Sequence, residues 1–204
     1  MNISCIILAG GKGLRLGSDK ALEKVNSRTL IQHSVSVLQG LGNEIIVVTA
    51  PGKTQLGLED YPAVRIVEDS ASGKGPLMGI YAGLSASTSD LNLVVACDMP
   101  FLNPELIKYM VSVSDGYDAV IPRIGAMLEP LHAVYRRAAK DAAAELIGQG
   151  MYSLRQLLAK VRVKYIEEQE IDSLDPGRLS FFNINFPEDL TKARELLREK
   201  PPSS

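Results

Sequence analysis

The sequence predicts an α/β protein: a mostly parallel sheet flanked by helices on both faces, in a Rossmann-like arrangement. Two observations carry that expectation. Short runs rich in β-branched residues alternate with segments whose apolar residues recur at helical spacing, the pattern of strand–helix–strand units. The first of these runs ends in a glycine-rich loop and two later ones end on aspartates. In a parallel sheet such strand ends share one rim, where ligands collect.

In chain order, Ile3 to Leu8 is an apolar run of strand length, closed by Gly10-Gly11 and followed by Gly13 and Gly17 with Lys12, Arg15, Asp19 and Lys20 among them. Leu30 to Leu41 carries Leu30, Ile31, Val35, Leu38 and Leu41 at helical intervals and stops near Gly40 and Gly42. Strands are predicted at Glu44 to Thr49, Val64 to Val67, Leu91 to Cys97, Asp118 to Ile121 and Val161 to Ile166, with helices at Gly79 to Ser87, Arg136 to Gly148 and Ser153 to Lys160. Asn103-Pro104 opens a further helix to Val113, asparagine as its cap and proline in its first turn. Pro130 interrupts the run Met127 to Tyr135, which predicts an edge or bent strand. A last helix runs to Glu199. No linker or repeat divides the chain, so one domain over residues 1–200 is expected, with a disordered tail at 201–204.

Composition narrows the class. The chain has 204 residues, 46% of them hydrophobic and 23% charged, enough to bury a sizeable core. A net charge of −2 with mixed signs argues against a nucleic-acid surface, and no apolar stretch is long enough to span a membrane. The first apolar run ends in a glycine loop, not a cleavage site, which predicts a cytoplasmic protein. Cys5 and Cys97 lack metal-site spacing and read as buried, reduced thiols. His33 and His132 have no Cys or Ser partner pattern and read as structural.

The glycine loop can be tested against two phosphate-binding signatures. A dinucleotide-binding loop needs G-x-G-x-x-G, and from Gly11 and Gly13 its third place falls on Leu16; the second strand then ends in Thr49-Ala50-Pro51, without the acid that would hold a ribose. A P-loop fails as well, since Gly73-Lys74 is followed by Gly75. What remains is a backbone free to approach an anion, with cations spaced along it.

The stretch LAGGKGLRLGSDKAL instead resembles the opening loop of nucleotidyltransferases, which run L-x-x-G-x-G-x-R-x-x-x-x-x-K, and within them the molybdenum cofactor guanylyltransferases. Further segments extend the resemblance: VEDS at 67–70, GPLMG at 75–79, ACDMPFL at 96–102, EPLHAVY at 129–135, SLRQLL at 153–158 and FFNINFPEDL at 181–190. Two local departures are Phe186, where the family usually has a Thr that would cap the last helix, and Thr49, where some members place Asn near the nucleotide.

The resemblance implies transfer of GMP from GTP to the terminal phosphate of molybdopterin, with loss of pyrophosphate. The attacking phosphate is already an anion, so the protein must mainly position polyanions and offset their charge. By this resemblance Arg15 holds the leaving phosphates, Lys20 neutralises charge at the α-phosphate, Lys12 is a third phosphate contact, and Asp98 binds Mg²⁺ at the end of its strand. Leu8, Ala9, Gly10 and Gly11 offer backbone groups to guanine, and Asp69 meets base or ribose. Asn183 and Asn185 alternate with Phe182, Ile184 and Phe186, so both amides are expected on one face toward the acceptor, with the apolar residues toward the core. Expected partners are GTP and molybdopterin, together with molybdoenzymes or their chaperones. The alternatives are a relative using CTP or a sugar-phosphate acceptor, or a non-catalytic nucleotide-binding subunit. Retention of Arg15, Lys20 and Asp98 together favours catalysis.

Overall fold

The structure is a computed structural model that describes residues 2–10, 20–69 and 73–199. The glycine-loop residues Gly11, Lys12, Gly13, Arg15, Gly17 and Asp19 and the expected tail 201–204 lie outside the described residues.

The first strand, β1 (Ile3–Leu8), is the axis of the sheet. Its side chains alternate between the two faces: Ile3, Cys5 and Ile7 enter one core, and Ile6 enters the other. After a 3₁₀ turn at Lys20–Leu22 the chain forms a small hairpin of β2 (Lys24–Val25) and β3 (Arg28–Thr29). Asn26 turns it with φ at 58°, a backbone state asparagine tolerates better than most residues. Helix α1 (Leu30–Leu38) starts from a capping box between Thr29 and Gln32. Strand β4 (Glu44–Thr49), strand β5 (Val64–Glu68) and helix α2 (Pro76–Ala86) follow, then strand β6 (Leu91–Ala96). Helix α3 (Pro104–Ser112) is capped as the sequence predicts, with the Asn103 side chain accepting from the amides of Glu105 and Leu106.

The second half contributes β7 (Ala119–Ile124), β8 (Met127–Leu128), β9 (His132–Arg136), α4 (Ala139–Gly148), α5 (Leu154–Lys160), β10 (Val163–Ile166), α6 (Glu168–Leu174) and α7 (Pro187–Glu199). The main sheet is ordered β10-β7-β9-β6-β1-β4-β5, with β8 paired to β7. Neighbours along it are parallel except where β9 meets β6 and β7. The expectation of an edge or bent strand over 127–135 is corrected here. The run splits in two, Pro130 falls in the turn between β8 and β9, and β9 is an interior strand. Proline therefore removes no ladder hydrogen bond.

Helices cover both faces. α1, α3 and α6 close the core containing Ile7, Val47 and Val95; α2, α4 and α5 close the one containing Ile6, Val48 and Val94. From β1 the chain moves outward through β4 and β5, then returns through α2 to β6 on the opposite side of β1. The strand order thus reverses between β1 and β6, which opens a crevice beyond their carboxyl ends.

Helix α2 closes one wall of that crevice because two glycines let it lie directly on β1. A Cβ at Gly79 would stand 3.2 Å from the Leu8 side chain, and one at Gly83 would stand 2.5 Å from Cγ2 of Ile6. Ile6 is fully buried and branched next to its backbone, so it has no flexible end to move aside. Gly83→Ala should therefore destabilise the fold: overpacking of about 1–3 kcal/mol outweighs the gain of about 1 kcal/mol that Ala brings to a helix. Urea denaturation measures the sum, and an unchanged or raised stability would mean that α2 lies on β1 without close contact at Gly83.

Candidate functional site

The crevice is a cavity of about 460 Å³, a volume typical of small-ligand sites. Leu8, Ala9 and Gly10 at the end of β1 form one part of its lining, and Ala96, Cys97 and Asp98 at the end of β6 form another. Val48, Asp69, Gly73, Gly75, Pro76, Gly79 and Leu131 complete the wall, with Lys20 at the charged end. The structure thus gathers Leu8, Ala9, Gly10, Lys20, Asp69 and Asp98, six residues predicted from sequence, around one space. Arg15 and Gly11 lie outside the described residues.

Each charged group is held by a different part of the fold. Asp98 follows β6, whose end is tied to β1 by the bond from the Cys97 amide to the Leu8 carbonyl, 3.1 Å. Lys20 opens the 3₁₀ turn before the β2–β3 hairpin. That hairpin is anchored by buried Val25, which joins Leu30, Phe101, Ile184, Leu190 and Ala193 in a third apolar cluster. His33 sets its ring nitrogen 2.9 Å from the Val25 carbonyl, and Arg194 donates to the Lys24 carbonyl at 3.0 Å. His33 is structural, as the sequence suggests. The segment before α7 reaches the site because the Ile184 amide donates to the Asp98 carbonyl at 3.0 Å and the Ile184 side chain is fully buried.

These supports converge on one cluster. The Lys20 ammonium lies 2.5 Å from Asp98 Oδ2 and 2.8 Å from Asn185 Oδ1. The Lys20 and Asp98 side chains are only 16% and 17% exposed. Asp98 Oδ1 is buried and has no hydrogen-bond partner among the described residues. A buried carboxylate oxygen without a donor is costly, and a hard cation with phosphate oxygens would satisfy it, so Asp98 fits Mg²⁺. No cluster of three or more His, Cys, Asp or Glu residues able to hold a metal occurs among the described residues. A lone carboxylate at a strand end suits a metal shared with ligand oxygens, as Mg²⁺ usually is. Burial and the negative charge of Asp98 together raise the pKa of half-buried Glu129.

The two predicted asparagines part company. Asn185 presents its amide to Lys20, whereas the Asn183 side chain donates to the Phe181 carbonyl at 3.2 Å. The apolar side also departs from expectation: Ile184 is buried but Phe186 is 46% exposed. The alternation holds only as far as Ile184, because the chain is already turning into α7.

Other residues resolve plainly. Lys74 is not among the lining residues and donates to the Tyr152 hydroxyl at 3.0 Å, while its neighbours Gly73 and Gly75 line the wall. The Thr49 side chain is buried and is not part of the lining. His132 is fully buried with its ring centroid 5.0 Å from that of Phe181, and burial lowers its pKa to about 4, so it is neutral and part of the core. Both cysteines are buried thiols outside any disulfide, and burial pushes the Cys5 thiol up to about 12. Sequence reasoning missed Val48 and Leu131 because they carry no chemical signal and line the site only through the sheet order.

A mostly parallel sheet with a crevice at the reversal of strand order, lined in part by an ammonium–carboxylate pair, has the layout of an α/β ligand-binding protein. Residues 5–166 match the MobA-like NTP transferase domain, and the chain belongs to that family of nucleotidyltransferases. A probable molybdenum cofactor guanylyltransferase of Pelotomaculum thermopropionicum is 39% identical over 93% of this chain and 90% of its own length. The crystal structure of molybdopterin-guanine dinucleotide biosynthesis protein A from Archaeoglobus fulgidus aligns with a TM-score of 0.84 at 29% identity, over 97% of this chain and all of that one. A 2-C-methyl-D-erythritol 4-phosphate cytidylyltransferase from Thermus thermophilus shares the fold alone: TM-score 0.72 at 19% identity, over 97% of this chain and 100% of that one.

The start of α7 yields a stability test. Asp189 Oδ2 accepts from the amides of Asn185 (2.8 Å) and Phe186 (2.9 Å), which is one half of a capping box. Phe186 has no side-chain oxygen to complete the other half. Phe186→Thr should stabilise the protein by about 0.5–2 kcal/mol in urea denaturation. A loss of stability would show that the contacts of the aromatic ring outweigh the cap.

Proposed function

We propose that the protein transfers GMP from GTP to the terminal phosphate of molybdopterin, giving molybdopterin guanine dinucleotide and pyrophosphate. The observation that carries this reading is the Lys20–Asp98–Asn185 cluster, whose Lys20 and Asp98 line the crevice, in a chain whose near full-length relatives are named molybdenum cofactor guanylyltransferases. Fold likeness alone would not choose between GTP and CTP, since a cytidylyltransferase has the same architecture.

In this reading the guanine lies against the backbone of Leu8, Ala9, Gly10 and Gly11, with Asp69 toward base or ribose. An oxygen of the acceptor phosphate attacks the α-phosphorus. The bond from that phosphorus to the bridging oxygen breaks, and the electron pair leaves with pyrophosphate. Arg15 holds the departing phosphates, assisted by Lys12, and Lys20 offsets charge at the α-phosphate. Asp98 holds Mg²⁺, which when bound neutralises charge on the reacting phosphates. Asn185 faces the acceptor side, and Asn183 shapes the segment that presents it. Catalysis then comes from position and charge, with no general base required. Molybdoenzymes or their chaperones receive the product in the cytoplasm, and neither nucleic acid nor membrane takes part. Among the described residues no helix is long and apolar enough to cross a membrane.

Two measurements test the proposal. With Mg²⁺ present, GTP should raise the melting temperature more than ATP, CTP or UTP, by mass action on the folded state. A larger shift with CTP would replace the guanine assignment with the cytidylyl alternative. Pyrophosphate release from GTP should require molybdopterin and should fall at least about 100-fold in Asp98→Asn. Near-normal turnover of that variant would remove the metal role.

A further inference from the structure

We propose that Lys20 is the resident counter-cation of Asp98 in the free enzyme and gives up that place to a divalent cation when substrate is taken up. The inference rests on the reading of Asp98 as the metal ligand. It starts from a conflict of position. One ammonium lies between Asp98 Oδ2 at 2.5 Å and Asn185 Oδ1 at 2.8 Å. A carboxylate oxygen and an amide oxygen are also what a small hard cation seeks, so Lys20 sits where such an ion would bind. With Nζ bonded to Asp98 and Asn185, one of its three N–H donors is left for the α-phosphate of a bound nucleotide, and its charge is already paired.

Charge and burial give the exchange its direction. A divalent ion at Asp98 puts like charge against Nζ, and with both side chains mostly buried that repulsion is weakly screened. Asp98 Oδ1 has no hydrogen-bond partner among the described residues, so an incoming cation has an oxygen to reach before Lys20 leaves Oδ2. Once released, Lys20 has the phosphate chain as its nearest anionic partner. Lys20 thus keeps Asp98 compensated in the free enzyme, weakens metal binding without nucleotide, and delivers its charge to phosphate once the metal is in place.

Mn²⁺ titration without nucleotide, followed by electron paramagnetic resonance, tests the competition in a counter-intuitive direction. Lys20→Met should bind Mn²⁺ at least about tenfold more tightly than wild type, because a contacting positive charge has been removed. Lys24→Met, which removes an exposed lysine from the neighbouring hairpin, should change it by less than about twofold. Asp98→Asn should weaken binding. Unchanged or weaker binding by Lys20→Met, with Asp98→Asn still weakened, would overturn the exchange and leave the metal assignment standing. Wild-type affinity in Asp98→Asn would overturn the metal reading itself. A second measurement needs no substitution: Mn²⁺ should increase acylation of the Lys20 amine in the wild-type protein, read by peptide mass spectrometry. Unchanged or reduced acylation at saturating Mn²⁺ would overturn the exchange.

Discussion

The contact between Lys20 and Asp98, shared with Asn185, is the constraint on which the site depends. It joins positions 78 and 165 residues apart, and each is held from behind by its own part of the fold. Asp98 is fixed by the ladder between β6 and β1, Lys20 by the apolar cluster under the hairpin, and Asn185 by the buried Ile184 at the Asp98 carbonyl. A mostly buried ion pair gains little net stability once desolvation is counted. The cluster is therefore poorly explained as a means of holding the chain together. In the proposed function it is charge placed where a phosphate chain would be received.

The architecture around it is shared with proteins that handle other nucleotides and acceptors. The parallel sheet and the reversal between β1 and β6 place a crevice at the strand ends, and the glycines of α2 bring that helix close enough to form its wall. In the proposed reading, what fills the crevice is decided by short segments: the backbone after β1, Asp69 after β5, Asp98 after β6 and the approach to α7. Function lives in those segments, and the sheet supplies their spacing.

Much of this was legible in the sequence, for identifiable reasons. The strands at Ile3–Leu8, Glu44–Thr49 and Leu91–Ala96 stand out because they are buried on both faces and so appear as continuous apolar runs. Asp98 and Lys20 stand out because a charge beside an apolar strand or a glycine loop has few structural uses. Helix α6 escaped because Ile171 is its one buried residue, and its start relies on a capping box between Glu167 and Glu170, not on apolar periodicity. The interior place of β9 escaped because Pro130 signals an edge to any local reading, whereas its position is set by pairing with β6 and β7. The meeting of Asn185 with Lys20, and the separate role of Asn183, depend on a tertiary contact that period-two alternation cannot express.

The central claim is that nucleotide and metal meet at this cluster, with the base toward β1. Crystals grown with GTP and Mn²⁺ test it most directly through the anomalous signal of manganese. The account predicts a single strong peak at the Asp98 carboxylate, the guanine against Leu8 to Gly10, and Lys20 turned from Asp98 toward phosphate. A manganese peak away from Asp98, or a base lodged beside Asn185 instead of β1, would contradict it.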